Sequence, residues 1–175
     1  LYLMRFSAGE KKKVLAVLVD MRAELVAKLR AGNVTDFTRQ RLQRLLTQCE
    51  AVIEQAVNKI QTTLDFDGLV KAEAEAAIKP LAAVGLEASL PTAAVLKAMV
   101  SDTLLKGAPL SEWWKKQSQD TAFKFSAQVR QGVAQGETLQ QVITRIVGSK
   151  KKGIVGIMEI SHRHVSTLVH DSIMQ

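Results

Sequence analysis

The chain is short of cysteine, proline and aromatic residues, and each shortage excludes something. A single cysteine, Cys49, rules out an internal disulfide and any cysteine-based metal cluster. It falls on the apolar side of a predicted helix, where a buried, inert thiol is expected. Only three prolines occur in 175 residues, so little interrupts long helices. Aromatics at 5% leave the core to Leu, Val, Ile and Ala, which favours helix packing over a β-sandwich. No apolar run approaches the roughly 20 residues needed to cross a bilayer, so no membrane partner is expected. No segment alternates with period two, so almost no sheet is expected. The start, Leu1-Tyr2-Leu3-Met4, lacks an initiator methionine and has neither the basic region nor the long apolar stretch of a signal peptide. Ile173-Met174-Gln175 falls inside a helical pattern with no stop signal, so both ends are expected to be cut from a longer chain.

What is present is enough for one domain with its own core: 47% hydrophobic and 23% charged residues is an ordinary globular balance. The net charge of +7 points to a polyanionic partner. The charge is uneven. Residues 1–63 hold 11 basic and 6 acidic side chains, residues 64–104 hold 3 and 6, and residues 105–175 hold 10 and 5. The centre is acidic, so the two ends are the better candidates for polyanion contact.

The periodicity predicts an all-α protein in three parts: a long helical hairpin over residues 1–64, an acidic, alanine-rich helical linker over 65–107, and a helical core over 108–175. Compact packing and an elongated arrangement along another subunit both satisfy the pattern. Val14, Leu18, Met21, Leu25 and Leu29 stripe a first helix over residues 9–31. Gly32-Asn33 would cap it, and Thr35 or Asp36 would cap a second helix from Phe37 to residue 64. Leu42, Leu45, Leu46, Cys49, Ile53, Ala56 and Ile60 form the buried side of that second helix. A helix from Leu69 to about Val84 should kink or end at Pro80, and another should run from Thr92 to Leu105, closed by Lys106-Gly107.

Residues 109–148 are the most informative stretch. Ser111 is a candidate cap, with Glu112 in the first turn of a helix that ends near Gln131. Gly132 and Gly136 loosen the chain before a second start at Thr138, where Gln141 completes a capping-box pattern. Leu139, Val142, Ile143, Ile146 and Val147 make that next helix one-sided, and Gly148 ends it. A last helix begins near Ile154 and includes Ile157, Ile160, His164, Val165, Leu168 and Val169.

No chemistry-bearing constellation emerges. Gly148-Ser-Lys-Lys-Lys-Gly153 looks like a phosphate loop but lacks the Gly-Lys-Ser/Thr ending and a preceding strand. A solvated connector and a phosphate or DNA contact through Lys150, Lys151 and Lys152 both fit it. Lys11, Lys12 and Lys13 fall in the first turns of a helix, where positive charge opposes the dipole; a binding role and a solvated helix start both accommodate that. Arg39, Arg41 and Arg44 do not share one helix face. His162, His164 and His170 lack the i, i+3 or i, i+4 spacing of metal ligands, so no metal and no cofactor is expected. His170-Asp171-Ser172 are neighbours whose side chains diverge on a helix, so they form no triad, and no catalytic residue is expected. Trp113 and Trp114 are adjacent and face different ways. One suits the core, and the other suits a neighbouring element or a partner.

One resemblance comes from these residues. The order Gly107-x-Pro109-Leu110-x-x-Trp113, then Val129-Arg130-Gln131-Gly132-x-x-x-Gly136-x-Thr138, then Val142-Ile143-x-x-Ile146-x-Gly148 is similar to the tailed-phage head morphogenesis, or minor head protein, family. It extends from about Leu69 to the end and is specific only over residues 109–148. A later Arg-Thr-Glu-like motif of that family would fall at Leu168-Val169-His170-Asp171-Ser172, which lacks those residues. The resemblance implies a non-enzymatic virion protein present in few copies, found in the host cytoplasm during assembly. It implies contact with the portal protein or other head proteins at the portal vertex, and a part in head assembly, DNA packaging or DNA delivery. On that view Trp113, Trp114, Arg130, Gly132 and Gly136 are the candidate partner contacts. Lys11, Lys12, Lys13, Lys150, Lys151 and Lys152 are the candidate contacts to packaged double-stranded DNA. A non-viral helical module that binds nucleic acid or acts as a scaffold is the alternative.

Overall fold

A computed structural model describes residues 2–32, 38–87, 89–101 and 104–174. The expected caps at Asn33, Thr35 and Asp36, and the expected helix start at Phe37, lie outside the described residues. So do Leu1 and Gln175. Within the described residues the fold is all-α. Its helices are α1 (Tyr2–Ala31), α2 (Arg39–Thr63), α3 (Phe66–Ala83), α4 (Ala93–Ser101), α5 (Leu110–Ala134), α6 (Leu139–Val147) and α7 (Ile157–Met174). The only paired strands among the described residues are two residues each, β1 (Leu104–Leu105) and β2 (Ala108–Pro109). No described helix is long and apolar enough to cross a membrane.

The first two helices form the antiparallel hairpin that their length and short joint predict. Gly32 at the end of α1 sits against Leu45 near the start of α2, and the Glu10 carboxylate near the start of α1 accepts the backbone N–H of Asp65, just past the end of α2, at 3.3 Å. The α1 stripe of Val14, Leu18, Met21, Leu25 and Leu29 is fully buried, together with Val17. In α2 the expected residues are buried except Leu42, which is half-buried, and Val52 and Val57 join them. Each such side chain contributes on the order of 1.5–3 kcal/mol relative to exposure, so this stripe is the main force that closes the hairpin. Cys49 lies in the middle of it, and burial pushes its thiol pKa up to about 11, consistent with an unreactive group.

The hairpin does not stand alone. Trp114, Phe125 and Val129 of α5, Val142 and Ile146 of α6, and Met158, Val165 and Val169 of α7 belong to the same core as the α1 and α2 stripes. The five helices α1, α2, α5, α6 and α7 form one bundle, and α3 and α4 pack chiefly on each other.

Several boundaries differ from expectation. Helix α3 starts earlier, at Phe66, because Asp65 caps it by accepting the Gly68 N–H at 2.9 Å. It also runs three residues past Pro80 before Gly85 closes it, with the Gly85 N–H donating to Ala82 and the Leu86 N–H to Leu81. A proline near a C-terminus removes only one bond, so the last turn survives. Helix α4 stops at Ser101, not at Leu105, because Lys106 and Gly107 both have positive φ and turn Leu104–Leu105 back onto Ala108–Pro109. The α5 cap is Pro109 and not Ser111, so Leu110 is the first helical residue. Helix α7 begins at Ile157, later than expected. Its inner face is Met158, Ser161, Val165, Val169 and Ile173, and both Ile160 and His164 are exposed.

Candidate functional site

The stretch over residues 109–148 folds as α5, a joint, and α6, and the joint explains most of its residues. Helix α5 closes with the Glu137 N–H donating to the Gly132 carbonyl and the Gly136 N–H donating to Val133. This is a Schellman closure, and it needs Gly136 at φ 66°. Thr138 and Gln141 then form the expected capping box: the Gln141 N–H donates to Thr138 Oγ1, and the Thr138 N–H donates to Gln141 Oε1 at 2.7 Å. Gly132 has a different task from the loosening expected of it. It is buried inside α5, and a Cβ there would come within 2.6 Å of Val142 Cγ2 and 3.0 Å of Glu137 Oε2. The glycine lets α6 lie against α5.

An ion pair locks the same joint. Arg145 of α6 donates from Nε to both Glu137 carboxylate oxygens at 2.7 Å and from a terminal nitrogen to Gln135 at 2.6 Å, and the same guanidinium also meets Gln128 of α5. The carboxylate raises the Arg145 pKa further above its ordinary value. The sequence offered Glu137 and Arg145 as a pair eight apart, a spacing that ordinary helix-pairing rules miss. Valine at Gly132 or Gly136 is therefore expected to lower the melting temperature by several degrees, through overpacking at the first and backbone strain at the second. Lys151→Ala, on an exposed turn, is expected to change it by less than about 1 °C. Thermal melts of the three variants check this.

The two tryptophans separate as their opposed directions require. Trp114 is 1% exposed and fills the centre of the bundle, so it offers nothing to a partner. Trp113 is half-buried at the surface end of α5. Its Nε1–H donates to the Leu105 carbonyl at 2.7 Å, and the Lys116 ammonium lies 5.7 Å from its ring centre. Lys106, one residue on from that carbonyl, pairs with Asp171 of α7 at 2.9 Å. The two-residue hairpin is thus tied to α5 and α7 around a cavity of about 250 Å³ that also meets Gln117 and His164.

Arg130 is exposed near the other end of α5, about 25 Å along the helix from Trp113. Its guanidinium is 3.5 Å from Gln43 of α2. Of the five candidate partner contacts, Trp114, Gly132 and Gly136 serve the fold, while Trp113 and Arg130 remain at the surface on separate patches. Phe123, which the sequence did not single out, is 75% exposed on α5 beside a groove against α2 that holds Glu50, Glu54 and Lys115. The signal for it was its place on α5: Phe123 is two residues from the buried Thr121 and Phe125, so it faces away from the core.

The two lysine runs also part company. Lys11, Lys12 and Lys13 are not at a helix start, since α1 is already helical at Tyr2. The dipole conflict expected there does not arise, and Lys13 pairs with the buried Glu10 at 2.7 Å. Lys150, Lys151 and Lys152 form one exposed 3-10 turn. Two backbone bonds between Ser149 and Ile154, at 2.8 and 3.0 Å, hold its base. Lys150 borders a cavity of about 420 Å³ with Arg22 of α1 and Glu159 and His162 of α7. Lys11 lies 11 residues from Arg22, about 16 Å up the same helix. Burial holds the His162 pKa below its ordinary value, with Arg22 acting the same way. Among the described residues, no three His, Cys, Asp or Glu side chains converge as metal ligands.

Comparison with protein-family models, with curated proteins and with solved structures yields no match.

Proposed function

We propose that this chain is a structural, non-catalytic protein of a tailed-phage head: a minor head protein that associates with the portal vertex and assists head assembly, DNA packaging or DNA delivery. It would work in the virion and, during assembly, in the host cytoplasm. The observation that carries the reading is the residue order from Gly107 to Gly148, which folds as one turn-helix-joint-helix unit. The half-buried Trp113 and the exposed Arg130 on that unit are its contacts for the portal protein or another head protein. A tagged copy expressed with the neighbouring head genes tests this. Recovery of portal protein with the tagged chain supports the reading, and recovery of none from assembling heads overturns it.

The stapled lysine turn favours a second reading, a helical module that binds nucleic acid outside any virus. Lys150, Lys151 and Lys152 are all exposed on a turn with a braced base, and Lys150 borders the cavity that Arg22 also lines, so the turn offers cations to backbone phosphates. Replacing all three with Glu is expected to weaken duplex DNA binding at low salt without lowering the melting temperature. It should also reduce the slope of log affinity against log salt by about 2 to 3. A fluorescence-anisotropy titration across salt concentrations measures both. Unchanged binding removes the turn from consideration.

A further inference from the structure

The α3–α4 arm exposes apolar surface that the bundle does not cover. Leu69 is the buried anchor of the arm. Beyond it, Leu81, Val84, Leu86, Leu90 and Val95 are exposed, Val84 to 71%. On α3, the exposed residues Glu73, Ala77, Pro80 and Leu81 fall within about 100° of one another, with Lys71 and Lys79 on other sides of the helix, and the exposed Val84 caps its end. The outward face is therefore small, apolar and acidic. Residues 64–104 carry 3 basic and 6 acidic side chains, against 21 and 11 in the rest of the chain.

The bundle holds a surface of the opposite kind. Val19, Ala23 and Val26 of α1, with Val147 of α6, line a groove of about 390 Å³ edged by Arg22 and Arg30. Val19 is 55% exposed, and the exposed Leu15 continues the same stripe one turn earlier. Asp20 and Glu24 fall on other sides of α1, so no carboxylate of α1 lies on this face. The larger groove beside Phe123 does not match the arm, because Glu50 and Glu54 line it and repel a second acidic surface. Position matters too. The arm leaves the bundle beside Glu10, near the start of α1, whereas the cationic groove lies toward the Ala31 end. In this fold the arm packs on itself and not on that groove.

We propose that the α3–α4 arm of one copy docks in the Arg22–Arg30 groove on α1 of a second copy, head to tail. Small residues on α3 let its backbone approach the groove, Leu81 and Val84 cover Val19 and Val26, and Glu73 and Glu87 meet the two arginines. The contact joins different patches on the two copies, so repeated head to tail it builds a ring or an open chain. It does not depend on the phage reading.

Sedimentation equilibrium of the purified full chain, without nucleic acid and over a range of concentrations, tests it. The native chain is expected to self-associate. Arg22→Glu with Arg30→Glu, and separately Glu73→Arg with Glu87→Arg, should each weaken association by about tenfold or more while melting curves stay within about 2 °C of the native chain. An equimolar mixture of the two doubly substituted proteins should re-associate, since each supplies the surface the other has lost. A native chain that is monomeric at every concentration, double variants that associate as the native chain does, or a mixture that stays monomeric each overturns the proposal.

Discussion

Gly156→Ala is expected to destabilise the fold by about 3 kcal/mol or more, lowering the melting temperature by about 10 °C. A Cβ at Gly156 would fall 2.2 Å from the Gly148 nitrogen, 2.3 Å from the Val147 carbonyl carbon and 2.6 Å from the Ile146 oxygen. All three are backbone atoms at the end of α6, so no side-chain rotamer can relieve the clash. The residue that closes α6 and the residue that opens α7 press backbone to backbone. Gly148 itself holds φ 85° and ψ 170°, a region open essentially to glycine alone. Gly9→Ala is the control, because Gly9 lies inside α1 with nothing within 4 Å of its added Cβ. There alanine is expected to stabilise by up to about 1 kcal/mol through helix propensity. Opposite signs from the same chemical change identify packing at the α6–α7 junction as the cause. A loss of stability in both, or in neither, would contradict this account of the junction.

Trp114→Ala is expected to lose about 3–5 kcal/mol, whereas Trp113→Ala, one position away, should lose about 1–2 kcal/mol. The first deletes a fully buried indole from the one core that joins all five bundle helices. The second deletes a half-buried ring and one hydrogen bond, to Leu105, and should loosen the small hairpin before the bundle. Denaturant unfolding gives the two stabilities, and amide exchange at residues 104–109 shows whether the hairpin alone opens. Equal losses would mean that the two rings share the core.

The sequence carries most of this fold because helical periodicity records burial directly. The stripes on α1 and α2, and the capping box at Thr138 and Gln141, are legible as spacing alone. What escaped is what depends on distant partners. Nothing in the order of residues places Gly156 against Gly148, or shows that Gly132 makes room for Val142. The Lys106-Gly107 turn was readable as a stop, but its strand partner across the turn was not. In α7 the core takes Met158 and Ser161. Ser161 is inside because its hydroxyl lies 3.0 Å from that of Thr121 on α5, which satisfies both polar groups away from water. Such a pair reads as two surface residues until the helices are brought together.

The candidate site was legible unevenly for the same reason. Charge runs are visible in a sequence, so Lys150, Lys151 and Lys152 stood out, but the Arg22 that joins Lys150 at one cavity lies 128 positions earlier. Glycines stood out as breaks in a helix. Gly132 is instead a contact, and Glu137 and Arg145 hold the joint it belongs to.

The central proposal is that this chain docks within a phage head. The most direct measurement is a quantitative mass-spectrometric inventory of purified heads made by the genome that encodes it. The account predicts the chain in those heads at a few copies for each portal ring. Its complete absence from both finished heads and assembly intermediates, with the portal protein present, would contradict the account.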